Sequence, residues 1–376
     1  MSGLPEGSTH DTPLALKIKE RIRREGPIGI DVYMQMCLAD PDHGYYRHQT
    51  AIGADGDFVT APEISQVFGE LIGLWCAVVW QQMGSPSKLN LVELGPGRGT
   101  LMRDALRAVR IVPGFRDVVS VHLVDSNVTL RAAQQAALAD CGVPLHFHDD
   151  ALQALAPPPG IAAEPTIVIA NEFLDALPIS QSVFTDGSWH TRMIALDEKT
   201  AALVVITGPE ISSPTSCPPD RPAGEGNILE TCASFEALAQ SLGKRAATAP
   251  LAALFIDYGH AETGFGETLQ GVAGQAHVSP FHAPGETDLS AQVDFERFAN
   301  ACQNARLHTD GTVPQGEFLG RLGIIERASR LMSANPARAG QIEVGVARLI
   351  APTGMGSRFL ALGLRSPDLA PLPGLA

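Results

Sequence analysis

Three alternate glycines, Gly95, Gly97 and Gly99, follow an apolar run that includes Glu93 near its end. Glycine permits a sharp turn, and without a Cβ it lets a ligand approach the main chain closely. The spacing differs from the G-x-G-x-x-G of dinucleotide-binding proteins, and Pro96 removes an amide that a pyrophosphate would use. Because Glu93 adds negative charge, the loop favours a cationic nucleoside cofactor. A turn that binds no ligand is the alternative interpretation.

Acidic residues stand after two further apolar runs. Asp125 closes the run 120–125, where its carboxylate could accept hydrogen bonds from ribose hydroxyls. A helix-capping role is the alternative, for which Ser126 and Asn127 compete. Asp149 follows a shorter run and could face an adenine amino group, although a solvated loop also explains it.

A segment upstream of the glycine loop combines a turn rich in Gly and Asp with a helix start. Thr60 and Glu63 have the spacing of a capping box, and the helix that follows has an apolar face. The preceding turn contains Asp57 and could act as a lid. We expect Asp57, Thr60 and Glu63 to contact the cofactor, together with Thr100 after the glycine loop. Capping alone is the alternative role for Glu63.

The apolar run 166–170 ends in polar residues where an acceptor substrate would meet the cofactor in a doubly wound sheet. Asn171 and Glu172 follow the run directly, and Asp175 lies three residues beyond Glu172. If the chain turns helically here, both carboxylates share one face and could bind a guanidinium group. In the alternative, Asn171 caps a short helix and the carboxylates interact with its positive end.

One histidine is a candidate proton acceptor. His260 comes shortly after the apolar run 251–257, and imidazole titrates near neutral pH. It could therefore take up the proton that is released when an amine or guanidinium is alkylated. An ordinary loop residue is the alternative interpretation.

Apolar runs and helical patterns alternate along the chain, which predicts an α/β fold with a mostly parallel sheet. Two later runs, 305–309 and 358–365, are expected to form an antiparallel edge pair. The ligand should lie at the carboxyl ends of the central strands. The predicted central strands are 89–94, 120–125, 166–170 and 251–257, with helices at 100–109 and 126–140.

Composition restricts the class of partner. The 376 residues carry a formal net charge of -14, which disfavours nucleic acid and suits a basic substrate better. Six cysteines without C-x-x-C spacing predict reduced thiols, no metal site and a cytosolic protein. Neither membrane insertion nor export is expected, because no run approaches the roughly twenty apolar residues of a spanning helix.

A set of motifs, spread from about residue 30 to 325, points to one protein family. The motifs are Gly44-Tyr45-Tyr46, Gly56-Asp57-Phe58, Thr60 to Ser65, Phe68-Gly69-Glu70, Glu93 to Thr100, Asn171-Glu172-Phe173, Asp175 to Pro178, Ile256 to Gly259, Asp288 to Ala291, Val293-Asp294-Phe295 and Gln315 to Leu319. The loop itself resembles the first motif of class I methyltransferases, which use S-adenosylmethionine. The whole set resembles the MidA-like methyltransferases, and a set of this kind is far more specific than a single glycine motif.

The resemblance implies a class I, Rossmann-like fold with a mostly parallel seven-stranded sheet and an antiparallel edge. An N-terminal helical addition and an insertion would complete it. On this basis we divide the chain into an N-terminal helical region with the lid (1–85), the first part of the methyltransferase core (86–178), an insertion (179–248) and the second part of the core (249–376).

The resemblance also implies an S-adenosylmethionine-dependent protein arginine methyltransferase, since the family includes a mitochondrial assembly factor for respiratory complex I. The partner would be a protein with an accessible arginine, with a complex I subunit as one candidate and a homodimer as a further possibility. Glu172 would orient the guanidinium, and Asp175 would assist it. One departure is Asp125, where a glutamate is expected. A non-catalytic assembly factor and a nicotinamide-dependent oxidoreductase are the alternatives.

Overall fold

The computed structural model describes residues 11–48, 60–156, 163–214, 217 and 221–375. Its strands are β1 (Ile28–Gly29), β2 (Leu89–Leu94), β3 (Val119–Val124), β4 (Leu145–His148), β5 (Thr166–Asn171), β6 (Ser180–Thr185), β7 (Ser188–Leu196), β8 (Leu203–Ile211), β9 (Ile228–Thr231), β10 (Leu251–His260), β11 (Gln270–Ala273), β12 (Ala276–Val278), β13 (Asp288–Ser290), β14 (Val293–Asp294), β15 (His308–Pro314) and β16 (Phe359–Arg365).

Helices connect most of these strands, and two short 3-10 turns, Val109–Ile111 and Pro336–Arg338, extend helical segments. The α-helices are α1 (Pro13–Glu25), α2 (Ile30–Ala39), α3 (Tyr45–His48), α4 (Ala61–Ile64), α5 (Gln66–Gln82), α6 (Thr100–Ala108), α7 (Phe115–Val118), α8 (Val128–Ala137), α9 (Ala151–Leu155), α10 (Ala233–Ala246), α11 (Phe295–Asn304), α12 (Gln315–Arg321), α13 (Ile324–Ala334) and α14 (Ala339–Ile350).

A central eight-stranded sheet has the main path β4-β3-β2-β5-β10-β16-β15, with β14 pairing beside β10. The pairs from β4 to β10 are parallel, whereas β16 runs antiparallel to both β10 and β15. This arrangement confirms the predicted α/β class with an antiparallel edge. It also brings the carboxyl ends of β2, β3, β5 and β10 to one edge of the sheet.

Helices cover both faces of this sheet because its parallel strands are apolar on both sides. Along β2, Leu89 and Leu91 pack into the core shared with α5, α6 and α13. Val92 and Leu94 pack into the opposite core, shared with α1, α2, α10 and α11. The two buried layers fix the strand ends that carry the candidate site residues.

Two smaller sheets lie outside the central one. In the first, the spatial order is β1-β7-β6-β9, and β8 pairs with β7. Strand β1 comes from the N-terminal region and joins this sheet through the pair Ile28 and Ile194. In the second, β11 pairs with β12 and β13 in antiparallel fashion. The segment predicted as an insertion is thus joined to the N-terminal region by main-chain hydrogen bonds.

The predicted edge strand at 305–309 is displaced in the structure, where β15 covers His308–Pro314. Ala305 still belongs to the end of α11, since its amide donates to the carbonyl of Ala301. Arg306 then adopts a φ of 67°, which ends the helix and reverses the chain before the strand begins. The antiparallel pairing with β16 is as predicted.

A buried carboxylate joins three helices of one layer, which leads to a stability prediction. Glu70 of α5 is 2% exposed, and it accepts hydrogen bonds from Arg107 Nη2 of α6 at 2.8 Å and from Arg327 Nε of α13 at 2.7 Å. Truncating a buried ionic partner leaves the other charges uncompensated. We expect Glu70→Ala to lower the free energy of unfolding by about 2–4 kcal/mol.

Urea denaturation would measure this loss, with Glu317→Ala as the matched control. Glu317 pairs with Arg321 on an exposed helix surface, where a salt bridge contributes at most about 1 kcal/mol. Equal losses in the two variants would contradict a joining role for Glu70.

Candidate active site

The glycine loop between β2 and α6 requires glycine at its three alternate positions. Gly95, Gly97 and Gly99 have φ values of 66°, 52° and 81°, a region that side chains disfavour. A Cβ on Gly95 would lie 3.2 Å from Phe173 Cδ2, and one on Gly99 would lie 3.3 Å from Gln134 Cα. The backbone conformation therefore disfavours other residues at all three positions, and at Gly95 and Gly99 a neighbouring group would also have to shift.

Main-chain hydrogen bonds hold this loop at the edge of the sheet. The amide of Gly95 donates to the carbonyl of Val124 at 3.1 Å, which ties the loop to the end of β3. The amide of Gly99 donates to the carbonyl of Pro96 at 2.8 Å, and α6 begins at the next residue, Thr100. The loop is thus an ordered turn between two neighbouring strand ends.

Glu93 is buried near the end of β2, which corrects the sequence-based expectation of an accessible negative charge at the mouth of the loop. Its side chain is buried at 3% exposure, and Oε2 has no hydrogen-bond partner in the described part of the chain. Burial, and to a smaller extent the charge of the nearby Asp125, raises the pKa of Glu93 to about 8. A donor or cation that reached Oε2 would favour the ionised form.

Asp125 directly follows β3, and other residues take over the helix-capping role. Asn127 caps α8 by accepting from the amides of Thr129 and Leu130. The Asp125 carboxylate accepts from the amide of Asn127 at 2.8 Å and from Gln134 Nε2 at 3.0 Å. Burial raises the pKa of Asp125 to about 6, while these hydrogen bonds oppose the shift. Sequence reasoning missed Gln134, which lies nine residues along the chain from Asp125.

Asp149 lies at the far side of this strand edge and is mostly exposed. Its carboxylate forms a salt bridge with Arg131 of α8. The neighbouring Asp150 caps α9 by accepting from the amide of Gln153. The adenine-binding role of Asp149 stays a prediction, since the structure shows it only as the partner of Arg131.

The predicted capping box at Thr60 and Glu63 does not form. Thr60 occupies the position before α4, but its side chain makes no capping hydrogen bond. Glu63 Oε1 instead accepts from the hydroxyl of Thr100 at 2.5 Å, across to the start of α6. This contact places both residues beside the glycine loop. Asp57 lies outside the described residues.

Glu172, and not Thr60, accepts a hydrogen bond from the main chain at the start of α4. Its Oε1 accepts from the amide of Ala61, the first residue of α4, and from Asn171 Nδ2, both at 3.0 Å. Glu172 has a φ of 53°, an uncommon conformation that costs energy and often marks functional sites. Burial raises its pKa to about 7, and Arg348 is among the weaker opposing influences.

The chain after β5 does not turn into a helix, which corrects both sequence-based interpretations of this segment. Asp257 of β10 organises it instead. Asp257 Oδ2 accepts from the amides of Phe173 at 3.0 Å, Leu174 at 2.8 Å and Asp175 at 3.3 Å. Asp257 is fully buried, and burial together with the charge of Glu172 raises its pKa to about 7. Sequence reasoning gave Asp257 no role beyond its place in a family motif.

Asp175 lies near other acidic groups that come from distant parts of the chain. Burial, Asp257, Glu172 and Asp288 all raise the pKa of Asp175 well above its ordinary value. One member of this group has a phenolic partner, since the hydroxyl of Tyr46 donates to Asp288 Oδ1 at 2.9 Å. The Asp175 carbonyl also accepts from the amide of Ala291, which anchors the following strand. This acidic cluster, Glu172, Asp175, Asp257 and Asp288, suits a cationic group.

His260 is not brought to the acidic cluster. It lies three residues beyond Asp257 on β10, and successive strand residues alternate between faces. Its Nδ1 lies 2.8 Å from the carbonyl oxygen of Glu262 in the following loop. A role as proton acceptor stays a prediction without a supporting contact.

The raised pKa values lead to a pH-dependent stability. In the unfolded chain Glu172 and Asp257 ionise near pH 4, whereas in the folded protein they hold protons up to about pH 7. The folded state therefore binds more protons between these values, and stability falls as pH rises. From about pH 4.5 to 7, we expect the free energy of unfolding to decrease by about 1–3 kcal/mol per group.

Urea denaturation of the cofactor-free protein at several pH values would measure the decrease. In Asp257→Asn one of the two groups no longer titrates, and the amide oxygen can still accept from the turn. The decrease should be shallower in this variant. An identical pH profile in the variant and the native chain would contradict the assignment.

The fold and the site together define the class of the protein. The main sheet path, with its antiparallel edge, and the glycine turn after β2 are those of a class I methyltransferase. An acidic residue after β3 and an acidic cluster after β5 occupy the edge where ligands bind in open α/β sheets.

Comparison with known proteins identifies the family. Residues 71–313 match the model of one family of S-adenosyl-L-methionine-dependent methyltransferases, and this chain belongs to that family. A crystal structure of a Burkholderia thailandensis protein bound to S-adenosyl-homocysteine superposes with a TM-score of 0.82 at 25% identity, covering 96% of this chain and 93% of that protein. The resemblance drawn from the motifs is confirmed.

Curated relatives match along almost the whole chain. Protein arginine methyltransferase NDUFAF7, mitochondrial, of Danio rerio is 33% identical over 91% of this chain and 84% of its own length. The human protein of the same name is 30% identical over 93% of this chain and 82% of its own length. The chain is therefore an enzyme that uses S-adenosylmethionine, which sets aside the nicotinamide alternative.

The compartment predicted from the sequence is wrong. The cysteine pattern predicted a cytosolic protein, whereas the curated relatives are named as mitochondrial proteins. Reduced thiols indicate a reducing environment, and they do not distinguish one reducing compartment from another. Within the described part of the chain, no helix is both long enough and apolar enough to span a membrane.

The residues at the sheet edge fit S-adenosylmethionine. Glu93 Oε2 is buried without a partner among the described residues, so a donor or a cation nearby would satisfy it. Each oxygen of the Asp125 carboxylate accepts one hydrogen bond from the protein, and an ionised carboxylate has capacity for more. The glycine loop leaves the main chain open to close approach.

Proposed function

We propose that this enzyme transfers a methyl group to a guanidinium nitrogen of an arginine in a protein substrate. The observation that carries the proposal is the acidic cluster beside the glycine loop, built on Glu172, Asp175, Asp257 and Asp288. Arginine stays protonated at ordinary pH, so a cluster of carboxylates attracts it. The names of the curated relatives add support.

One group of residues would bind the cofactor. Glu93, the glycine loop and Asp125 would hold S-adenosylmethionine, which supplies a methyl group on a sulfonium that is already a good leaving group. The predicted contacts of Thr60, Glu63 and Thr100 would close the same side, because Glu63 and Thr100 are hydrogen-bonded to each other.

Glu172 would receive the acceptor. Both hydrogen bonds from the protein end on its Oε1, so Oε2 can accept from an incoming guanidinium. Contact with this cation would favour the ionised carboxylate and lower the raised pKa of Glu172. The carboxylate would then localise the guanidinium charge and orient one nitrogen for in-line attack.

Asp175 and Asp257 would have supporting roles. Asp175 lies close enough to Glu172 for their charges to interact, and it would bind a second guanidinium nitrogen as the helper of Glu172. Asp257 positions the segment between them, since its carboxylate holds three consecutive amides of the turn. Without that hold, the backbone at Glu172 would lose the support for its uncommon conformation.

A comparison of arginine with citrulline tests the proposal directly. Citrulline has nearly the same shape as arginine but carries no charge. The amide of N-acetyl-arginine should bind to the protein loaded with S-adenosyl-homocysteine at least about tenfold more tightly than the citrulline analogue, because a charged hydrogen bond is lost. Calorimetry would measure both affinities. Equal binding of the two amides would contradict recognition by carboxylates.

For the substrate itself, we propose a subunit of respiratory complex I as the first candidate. The support is the resemblance to the MidA-like family, whose mitochondrial member serves the assembly of that complex. Methyl transfer into isolated complex I subunits, compared with unrelated proteins that have exposed arginines, would test it. Transfer to the unrelated proteins alone would remove this candidate.

A further inference from the structure

A glutamine in the core beside the glycine loop has a hydrogen-bonding pattern that packing does not explain. Gln134 of α8 is 0% exposed. Its Nε2 donates to the carbonyl of Gly97 at 2.8 Å and to Asp125 Oδ2 at 3.0 Å. The side-chain amide thus connects the glycine loop to the carboxylate proposed to bind the ribose of the cofactor.

The same amide leaves one atom unsatisfied. Gln134 Oε1 is buried and has no hydrogen-bond partner among the described residues. An unsatisfied buried oxygen costs free energy, and an apolar side chain of similar size would fill the space without that cost. The value of glutamine at this position therefore lies in the two hydrogens of Nε2. Neither glutamate at neutral pH nor methionine could supply both.

The hydrogen bond from Gln134 helps to orient the Asp125 carboxylate. Its Oδ1 accepts from the amide of Asn127, and its Oδ2 accepts from Gln134, so both oxygens have fixed orientations. Each oxygen can still accept one more hydrogen bond, and the two hydroxyls of a ribose offer two donors side by side. A protonated Asp125 would lose one of these acceptors.

Other charges near Asp125 have opposing effects. The carboxyl of Glu93 on β2 is close enough to interact with the charge of Asp125, and Arg131 on α8 favours the ionised form of Asp125. Arg47 of α3 donates to the carbonyl of Ser126, the next residue along the chain. Burial disfavours ionisation, and the Gln134 hydrogen bond counteracts that effect.

We propose that Gln134 is a positioning residue for the cofactor: it holds Asp125 ionised and oriented to accept both ribose hydroxyls, and it fixes the Gly97 carbonyl at the same time. This inference rests on the cofactor-binding role proposed for Asp125 and not on the identity of the methyl acceptor. It can therefore be tested separately from arginine methylation.

Two substitutions and a control define the experiment. Gln134→Met keeps the size of the side chain and removes both donors. Gln134→Glu offers one donor only when it is protonated. Gln135→Met is the matched control, since Gln135 is the next residue of the same helix and is exposed.

Calorimetry with S-adenosyl-homocysteine and its 2′-deoxy and 3′-deoxy analogues measures the effect. We expect Gln134→Met to weaken binding of the parent ligand about 10–100-fold and to bind the deoxy analogues almost as well as the parent. Gln135→Met should behave like the native chain. Equal losses for all three ligands, or a loss below about twofold, would overturn the proposal, because packing alone would then explain the residue.

The pH profile gives a second test with the native fold preserved. Compared with the native chain at the same pH, Gln134→Glu should bind much more weakly at pH 8, and the difference should narrow towards pH 6 as the introduced carboxyl gains its proton. In the cofactor-free Gln134→Met protein, carbon-13 NMR should show the pKa of Asp125 above its native value of about 6. If Gln134→Met does not fold, Gln134→Glu decides, and a profile like that of the native chain would reject the proposal.

Discussion

Glu172→Gln should lower kcat for methyl transfer about 10²–10⁴-fold, the range found when a charged group that acts in the transition state is removed. The substituted side chain has the same shape, and its oxygen can still accept from Ala61 and Asn171 as Glu172 does. Only the negative charge that would face the guanidinium is lost. The affinity for S-adenosyl-homocysteine should stay within about threefold of the native value.

Single-turnover transfer of a labelled methyl group, together with calorimetry of the cofactor product, would separate these two effects. Glu317→Gln is the control, because Glu317 is an exposed carboxylate on a surface helix. If Glu172→Gln transferred methyl groups at the native rate, Glu172 would have no part in the chemistry. A large loss of cofactor affinity would instead place Glu172 in the cofactor site.

Gly95→Ala is expected to weaken binding of S-adenosyl-homocysteine about 10–100-fold. Gly95 has a φ of 66°, in which an alanine costs about 1–2 kcal/mol. The added Cβ would also lie 3.2 Å from Phe173 Cδ2, in the turn that carries Glu172. The loop would have to shift, and it would no longer offer the same main-chain surface to the cofactor.

Gly84→Ala provides the matched control for this prediction. Gly84 also has a positive φ, of 84°, but a Cβ there would have no atom within 4 Å. The two variants therefore share the backbone strain and differ in contact and position. Thermal melting would report their common destabilisation, and calorimetry would report binding. Similar cofactor affinities in the two variants would contradict the role assigned to Gly95.

The central strands were predictable because each is a short apolar run with a marked end. β2 begins and ends where the sequence pattern placed it, β3 is shifted by one residue and β5 is one residue longer. β10 begins as predicted and runs three residues further, to His260. Edge elements were less predictable. The sequence pattern placed Ala305 and Arg306 in a strand, whereas Ala305 completes helix α11 and Arg306 reverses the chain. Local patterns do not contain the tertiary contacts that decide such boundaries.

The candidate site was only partly predictable for the same reason. The glycine loop and Asp125 lie in local patterns, and the sequence located them. Glu172 was also found, but its partner Ala61 is 111 residues away, so the capping role was assigned to the wrong side chain. Tyr46 and Asp288 meet across 242 residues, and no spacing rule could pair them.

Burial explains the remaining differences. Glu93 was expected to present its charge to a cofactor, yet its side chain is buried and its pKa is raised to about 8. Gln134 and Asp257 were missed because a glutamine in a helix and an aspartate in a strand carry no local signal of their partners. Both act by holding main-chain groups or other side chains of the site.

The most direct test of arginine methylation is transfer of a trideuterated methyl group from labelled S-adenosylmethionine into proteins of an extract that lacks this enzyme. Mass spectrometry would locate the label after incubation with the native chain and with Glu172→Gln. We predict label on an arginine nitrogen with the native chain and at least about a hundredfold less with the variant. Label on another residue type, or equal label with both proteins, would contradict the proposed function.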